Sequence, residues 1–142
     1  TGICANGLFY QQHLVGTGVG SGVEYGGIGL PVEGHLWSAD KNWGYIEFKT
    51  RKDVTDRYVT YAEKLMELVE RGFSAAVYTQ TTDVEGEVNG LVTYDREVVK
   101  VDVDRLHEVN RRLVRSLDFE AGEDGKIRGV SAPRFSCPFA IV

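Results

Sequence analysis

The chain is short of the residues that most often announce a chemistry: 142 residues include two cysteines, three histidines, three prolines and one methionine. Cys4 and Cys137 are too few for a disulfide framework and lack metal-ligand spacing. A single bridge between them stays open, because sequence alone does not fix their separation. His13, His35 and His107 are scattered and form no His-Glu-x-x-His pair, so no metal is expected. Neither a Gly-x-Ser-x-Gly elbow nor a phosphate-binding P-loop occurs, which argues against serine-triad hydrolysis and phosphoryl transfer. No apolar run approaches the ~18–20 residues of a membrane span. There are 16 Lys and Arg against 21 Asp and Glu, a net charge of −5. Neither nucleic acid nor a membrane is therefore an expected partner. Thr1 heads the chain with no methionine and no signal-like leader. The expectation is a processed or partial polypeptide, whose compartment the sequence does not reveal.

What is present is the composition of one ordinary domain: 42% hydrophobic and 26% charged residues, enough for a sizeable core under a solvated surface. Residues 1–22 are rich in glycine, which costs backbone entropy in helix and strand alike, so a poor regular element is expected there. Gly18-Val19-Gly20-Ser21-Gly22 satisfies Gly-x-Gly-x-Gly, but no helix follows and Pro31 interrupts the next segment. A dinucleotide loop is thereby disfavoured, and no cofactor is expected. The tail, 118–142, holds a turn at Gly122-Glu123-Asp124-Gly125.

Between these lies the organised part, 23–117. Val23-Glu24-Tyr25 reads as a short strand that exits into the turn-rich Gly26–Pro31, then into a loop bearing His35, Trp37, Trp43 and Tyr45. Val54, Tyr58, Tyr61, Leu65, Leu68 and Val69 recur at three- and four-residue steps, which predicts a helix from Asp53 to Arg71, capped by Asp53 and stopped by Gly72. Phe73–Val77 predicts a strand, Tyr78–Arg96 a polar loop, and Glu97–Val101 a β-prone run. A second helix is predicted from about Asp102 to Leu117, with Val103, Leu106, Val109, Asn110 and Leu113 on one side. Strand, long loop, helix, twice over, predicts an α/β fold with parallel strands. Both rich loops then leave carboxyl ends of strands, where parallel α/β proteins place their sites.

The second loop, Tyr78–Arg96, crowds hydroxyls, amides and carboxylates together. Each would need its own partner if buried, so the expectation is the lip of a polar pocket and not core. Its character suits a sugar better than a flat cofactor. Gln80, Asp83 and Glu85 are candidates for pairing with vicinal hydroxyls. The competing reading makes Asp83 and Glu85 a network that holds the loop, with Arg96 as partner. Glu87 and Asn89 also suit a turn at Asn89-Gly90. Asp83, Glu85 and Glu87 raise calcium as an option, but the full ligand pattern is missing.

Two stretches resemble glycoside hydrolase family 2, the family of β-galactosidases, β-glucuronidases and β-mannosidases. Glu24-Tyr25-Gly26-Gly27 looks like its Glu-Tyr/Phe-Gly signature at the end of the seventh strand, and Tyr78–Arg96 looks like its eighth-strand exit. Gly34-His35-Leu36-Trp37 and Asn42-Trp43-Gly44-Tyr45 fall where a subgroup has an aromatic-rich loop, and the likeness runs from about Gly22 to Asn110. The resemblance implies a partial (β/α)8 TIM barrel, its last two βα units, and double-displacement cleavage of β-linked sugars. Glu24 would be the nucleophile, with a carbohydrate as substrate. Tyr25, His35, Trp37, Trp43, Tyr78, Gln80, Asp83 and Glu85 would bind it. For Tyr25 packing stays equally open, and for the two tryptophans stapling of the loop. The family's acid/base glutamate follows an asparagine, and no Asn-Glu pair occurs in this chain. An N-terminal part of the same protein, or a companion chain, would have to supply it. The isolated chain is thus expected to be inactive. A non-catalytic carbohydrate-binding protein and a degenerate barrel piece needing a partner are the alternatives. Residues 1–20 and 118–142 match nothing in that family.

Overall fold

The computed structural model describes residues 2–4, 8–15, 18–70, 75–116, 120–121 and 127–128, with side chains for 24–69 and 76–116. The elements in order are β1 (Gly2–Cys4), β2 (Leu8–Val15), β3 (Gly18–Gly26), β4 (Ile28–Gly29), β5 (Ile46–Glu47), α1 (Arg51–Glu70), β6 (Ala75–Thr79), α2 (Val103–Arg115), β7 (Glu120–Ala121) and β8 (Ile127–Arg128). This is an α/β chain with two helices and parallel strands in small sheets.

The main sheet runs β1-β2-β3-β6. β3 and β6 pair in parallel, with Glu24 opposite Val77, Tyr25 opposite Tyr78 and Gly26 opposite Thr79. The short β4 and β5 also pair in parallel. β1, β2 and β3 are instead antiparallel neighbours, an arrangement that the expectation of uniformly parallel strands did not include. The glycine-rich 1–22 region is likewise not the poor element expected of it: β2 is paired along its whole length with 18–25. Ladder hydrogen bonds need only backbone groups, so a hairpin partner can hold glycines in a strand despite their entropy.

α1 forms because its apolar residues line one side: Val54, Tyr58, Tyr61, Ala62, Leu65 and Leu68 are all buried. Its cap is Thr50, not Asp53. The Thr50 hydroxyl accepts from the Asp53 amide (3.1 Å) and donates to the Asp53 carboxylate (2.6 Å), so Asp53 sits three residues past the cap and steadies its hydroxyl. The expected stop at Gly72 lies outside the described residues. α2 is capped by Asp102 as predicted, its carboxylate accepting from the Arg105 amide at 3.2 Å. Leu106, Val109 and Leu113 are buried, whereas Val103, in the first turn, is exposed and not on the packed side. The helix ends at Arg115 with Ser116 as its C-cap, and Leu117 lies outside the described residues.

The two helices pack together beside the sheet. Tyr58 donates to Asn110 (3.1 Å), and the buried Thr55 hydroxyl accepts from the Asp102 amide (2.9 Å) while donating to the Arg51 carbonyl (2.7 Å). One core joins them to Tyr25, Ile28, Leu30, Ala76, Tyr78 and Val101. Burying each such side chain contributes roughly 1.5–3 kcal/mol. The strand predicted at Phe73–Val77 is observed at Ala75–Thr79; Phe73 and Ser74 lie outside the described residues. The β-prone run Glu97–Val101 makes only an isolated bridge, Val99 to Val92. β7 and β8 flank the turn predicted at 122–125, whose own residues are outside the described set, as is Cys137 and with it any Cys4–Cys137 bridge. No described helix is long and apolar enough to cross a membrane.

Candidate functional site

Parallel pairing of β3 with β6 brings both loop exits to one edge of the sheet. Gly26 leaves β3 with φ of +121°, and a Cβ there would overlap the Thr79 carbonyl oxygen, so only glycine fits. Gly27 then donates its amide to that carbonyl at 2.7 Å. Further backbone bonds knit the loops to one another: Leu30 to Val88 (2.9 Å), Trp43 to Gly86 (2.8 Å) and Val88 to Trp43 (3.0 Å). The two loops are therefore one hydrogen-bonded layer over the strand ends.

Side chains alternate across β3 and β6. Tyr25 and Tyr78 face the helices, their ring centroids 5.1 Å apart at 72°, with Tyr58 5.2 Å from Tyr78. Burial pushes both the Tyr25 and the Tyr78 phenols well above the ordinary tyrosine range. The next residues face the other way: Glu24 is exposed, and its register partner Val77 is 48% exposed. One side of this pair of strands is thus core and the other is open.

Immediately past Thr79, half-buried Gln80 turns an amide nitrogen into the interior that finds no partner among the described residues; the Tyr78 hydroxyl is in the same position. Glu85 is exposed at the tip of a tight turn closed by Val84 and Glu87, with φ of 51°. Asp83 is buried. Its carboxylate accepts from the Lys100 ammonium at 2.7 Å and from the Gly90 amide at 2.6 Å. Lys100, fully enclosed, also donates to the carbonyls of Leu30 (3.1 Å) and Val88 (2.9 Å). Burial raises the Asp83 pKa and lowers that of Lys100, and each partner opposes the other's shift.

The loop therefore differs from the solvent-facing lip that its polarity suggests. Asp83, Asn89, Gly90 and Thr93 are buried, and Asp83, Thr93 and the Asn89 amide nitrogen are each bonded. Enough mutual partners exist to bury them, which removes the premise that kept them outside. The network partner of Asp83 is Lys100, not Arg96. Lys100 carried a usable signal, a lone cation amid Val98, Val99 and Val101. The carboxylates of Asp83, Glu85 and Glu87 form no cation cluster among the described residues.

Of the aromatic-loop candidates, Trp37 is 62% exposed and meets Tyr94 edge-on at 5.7 Å, while Trp43 meets Tyr45 edge-on at 5.5 Å. His35 Nδ1 lies 2.7 Å from an Asp95 oxygen. The other Asp95 oxygen accepts from the Thr93 hydroxyl (2.6 Å) and the Glu97 amide (3.1 Å). Those two bonds, and then His35, lower the Asp95 pKa to about 2. Tyr94 and Asp95 were not candidates in the sequence, because their partners lie some sixty residues upstream. Asp95 with His35 and Glu97 brings three ligand atoms within 4.8 Å of one another, a grouping able to hold a cation. A groove of about 540 Å³ lies elsewhere, between the N-termini of α1 and α2, and Arg51, Lys52 and Arg105 in its wall are already bonded to Val101 and Asp56.

Compared with known proteins, the chain matches no family model, and no curated protein matches it by sequence.

Proposed function

We propose that this chain is the nucleophile-bearing part of a retaining glycoside hydrolase acting on β-linked sugars, the last two βα units of a TIM barrel. The observation that carries the reading is the position of Glu24. It stands near the carboxyl end of a strand paired in parallel with β6, on the open side, one turn of backbone before a polar loop layer. The resemblance of Glu24-Tyr25-Gly26-Gly27 and of Tyr78–Arg96 to family 2 hydrolases supplies the chemistry.

In this reading the Glu24 carboxylate attacks the anomeric carbon as the glycosidic C–O bond breaks, giving a glycosyl ester. The departing oxygen takes a proton from a second carboxyl about 5–5.5 Å away, which then draws a proton from the water that cleaves the ester. That second carboxyl comes from a part of the barrel beyond these two units, in the same polypeptide or a companion. Asp83 is a poor substitute for it, since it is buried against Lys100. Asp83 and Lys100 instead hold the loop that carries Gln80, whose amide nitrogen faces the interior without a partner among the described residues and would have to turn outward to meet a sugar hydroxyl. Tyr25 and Tyr78 support the strand ends from beneath.

The test joins the chain to a polypeptide carrying the first six βα units of a family 2 barrel. The joined protein should release phenol from aryl β-glycosides, Glu24→Gln should abolish release, and azide should restore turnover to Glu24→Gly as an α-glycosyl azide. Unchanged turnover in Glu24→Gln removes Glu24 from the mechanism. A second reading, sugar binding without hydrolysis, is favoured by the absence of any Asn-Glu pair. It predicts saturable binding of β-glycosides by the chain alone.

A further inference from the structure

We propose that His35, Asp95 and Glu97 form a binding site for a divalent metal ion of the zinc class, held between the two loops that follow β3 and β6. The site is independent of Glu24, and nothing in its argument depends on a sugar.

One ligand atom from each of the three residues lies within 4.8 Å of the other two. His35 comes from the first loop and Asp95 from the end of the second, sixty residues on, which is why no spacing in the sequence announces the site. His35 Nδ1 and an Asp95 oxygen are 2.7 Å apart. Two ligands of one tetrahedral zinc ion, each ~2.0–2.1 Å from it, lie ~3.3–3.4 Å from one another. A small opening of the His35–Asp95 contact therefore admits the ion in place of the hydrogen between them, and a neutral imidazole keeps its own hydrogen on Nε2. Glu97 supplies the remaining adjustment. It is exposed, and its carboxylate has no hydrogen bond or ion pair among the described residues, so it is free to swing inward.

The donor set selects the ion. An imidazole nitrogen with two carboxylate oxygens suits zinc, whereas calcium and magnesium favour oxygen alone. Two ionised carboxylates and a neutral imidazole match a divalent charge. The Arg96 side chain, exposed and between them in sequence, pairs with neither carboxylate among the described residues. Asp95 is already aimed. Its second oxygen accepts from the Thr93 hydroxyl at 2.6 Å and the Glu97 amide at 3.1 Å, which leaves the first for the ion. Outer hydrogen bonds of this kind orient the ligands of metal sites. Three protein ligands leave a fourth tetrahedral position for water, and the partial exposure of all three residues lets solvent reach it.

The experiment titrates zinc chloride into the 142-residue chain, with calcium and magnesium chlorides in parallel series. Binding is read by calorimetry and by the ring resonances of His35, assigned through their loss in His35→Ala. A saturable shift of the His35 ring with zinc, and none with calcium or magnesium at the same concentration, is expected. His35→Ala and Asp95→Asn should each weaken zinc binding at least about tenfold, the scale on which even outer-shell partners act. Glu97→Gln, at an exposed position where folding is not at stake, should weaken it too, and His107→Ala, on the exposed side of α2, should not. A His35 ring that ignores zinc, or zinc affinity unchanged in His35→Ala and Glu97→Gln, overturns the site. An equal response to calcium overturns the choice of ion.

Discussion

Replacing Lys100 by methionine keeps the length of the side chain and removes its charge. The ammonium is fully enclosed and donates to three acceptors, the Asp83 carboxylate at 2.7 Å and the carbonyls of Leu30 and Val88. Val88 O keeps the Leu30 amide as a partner, so the main loss is at Asp83, left as a buried carboxylate with only the Gly90 amide. Breaking a buried pair from one side costs about 3–5 kcal/mol. Against a typical domain stability of ~5–15 kcal/mol this is a large fraction. Urea unfolding of the 142-residue chain, followed by circular dichroism, measures it. Asp83→Asn added to Lys100→Met removes the stranded charge while an amide oxygen still accepts from Gly90, so the double variant should recover to within about 1–2 kcal/mol of wild type. The sign with pH is also fixed. Burial already raises the Asp83 pKa, and losing Lys100 removes what opposes that rise. A carboxyl raised in the folded state favours folding when protonated, so the Lys100→Met loss should be full above the folded pKa of Asp83 and shrink as pH falls below it. A Lys100→Met variant within ~1 kcal/mol of wild type at neutral pH, or no recovery in the double variant, refutes a clamp at the centre of the loop layer.

Three smaller tests probe other parts of the account. Gly26→Ala sets a methyl against the Thr79 carbonyl oxygen at a φ that L-residues avoid, and should cost about 1–3 kcal/mol in urea melts, more than a surface substitution. Thr50→Ala removes both halves of the contact with Asp53 and should cost ~1 kcal/mol, whereas Asp53→Ala should cost less if Thr50 is the cap. Asp95, held at about 2 in the folded chain against 3.8 ordinarily, contributes stability that is present above the ordinary value and lost as pH falls through about 2. Asp95→Asn should therefore flatten the acid limb of the stability curve between those values.

How far the sequence could be read follows from how far apart interacting residues lie. The two helices were visible because their buried residues repeat within one or two turns, and Asp102 announced its cap. The parallel pairing of the two strands followed from the alternation of strand and helix. The antiparallel pairing of 8–15 with 18–25 was hidden, because glycine argues against a strand by propensity while the compensating ladder lies on another segment. The burial of the second loop was hidden for the same reason. Asp83 is satisfied from seventeen residues away, and Lys100 reaches back seventy residues to Leu30. Within the candidate site, the place of Glu24 near one strand end and of Gln80 just past another could be read from position. The Tyr94 and Asp95 contacts to Trp37 and His35 have no local signature in the sequence.

Glu24 itself can be interrogated by trapping. Under the proposed function, an activated fluoroglycoside, incubated with the chain joined to the first six βα units of a family 2 barrel, should add one glycosyl mass that maps by peptide digestion to Glu24. A label on a different carboxylate, or catalysis with Glu24 left unmodified, contradicts the assignment of this exposed strand-end carboxylate as the nucleophile.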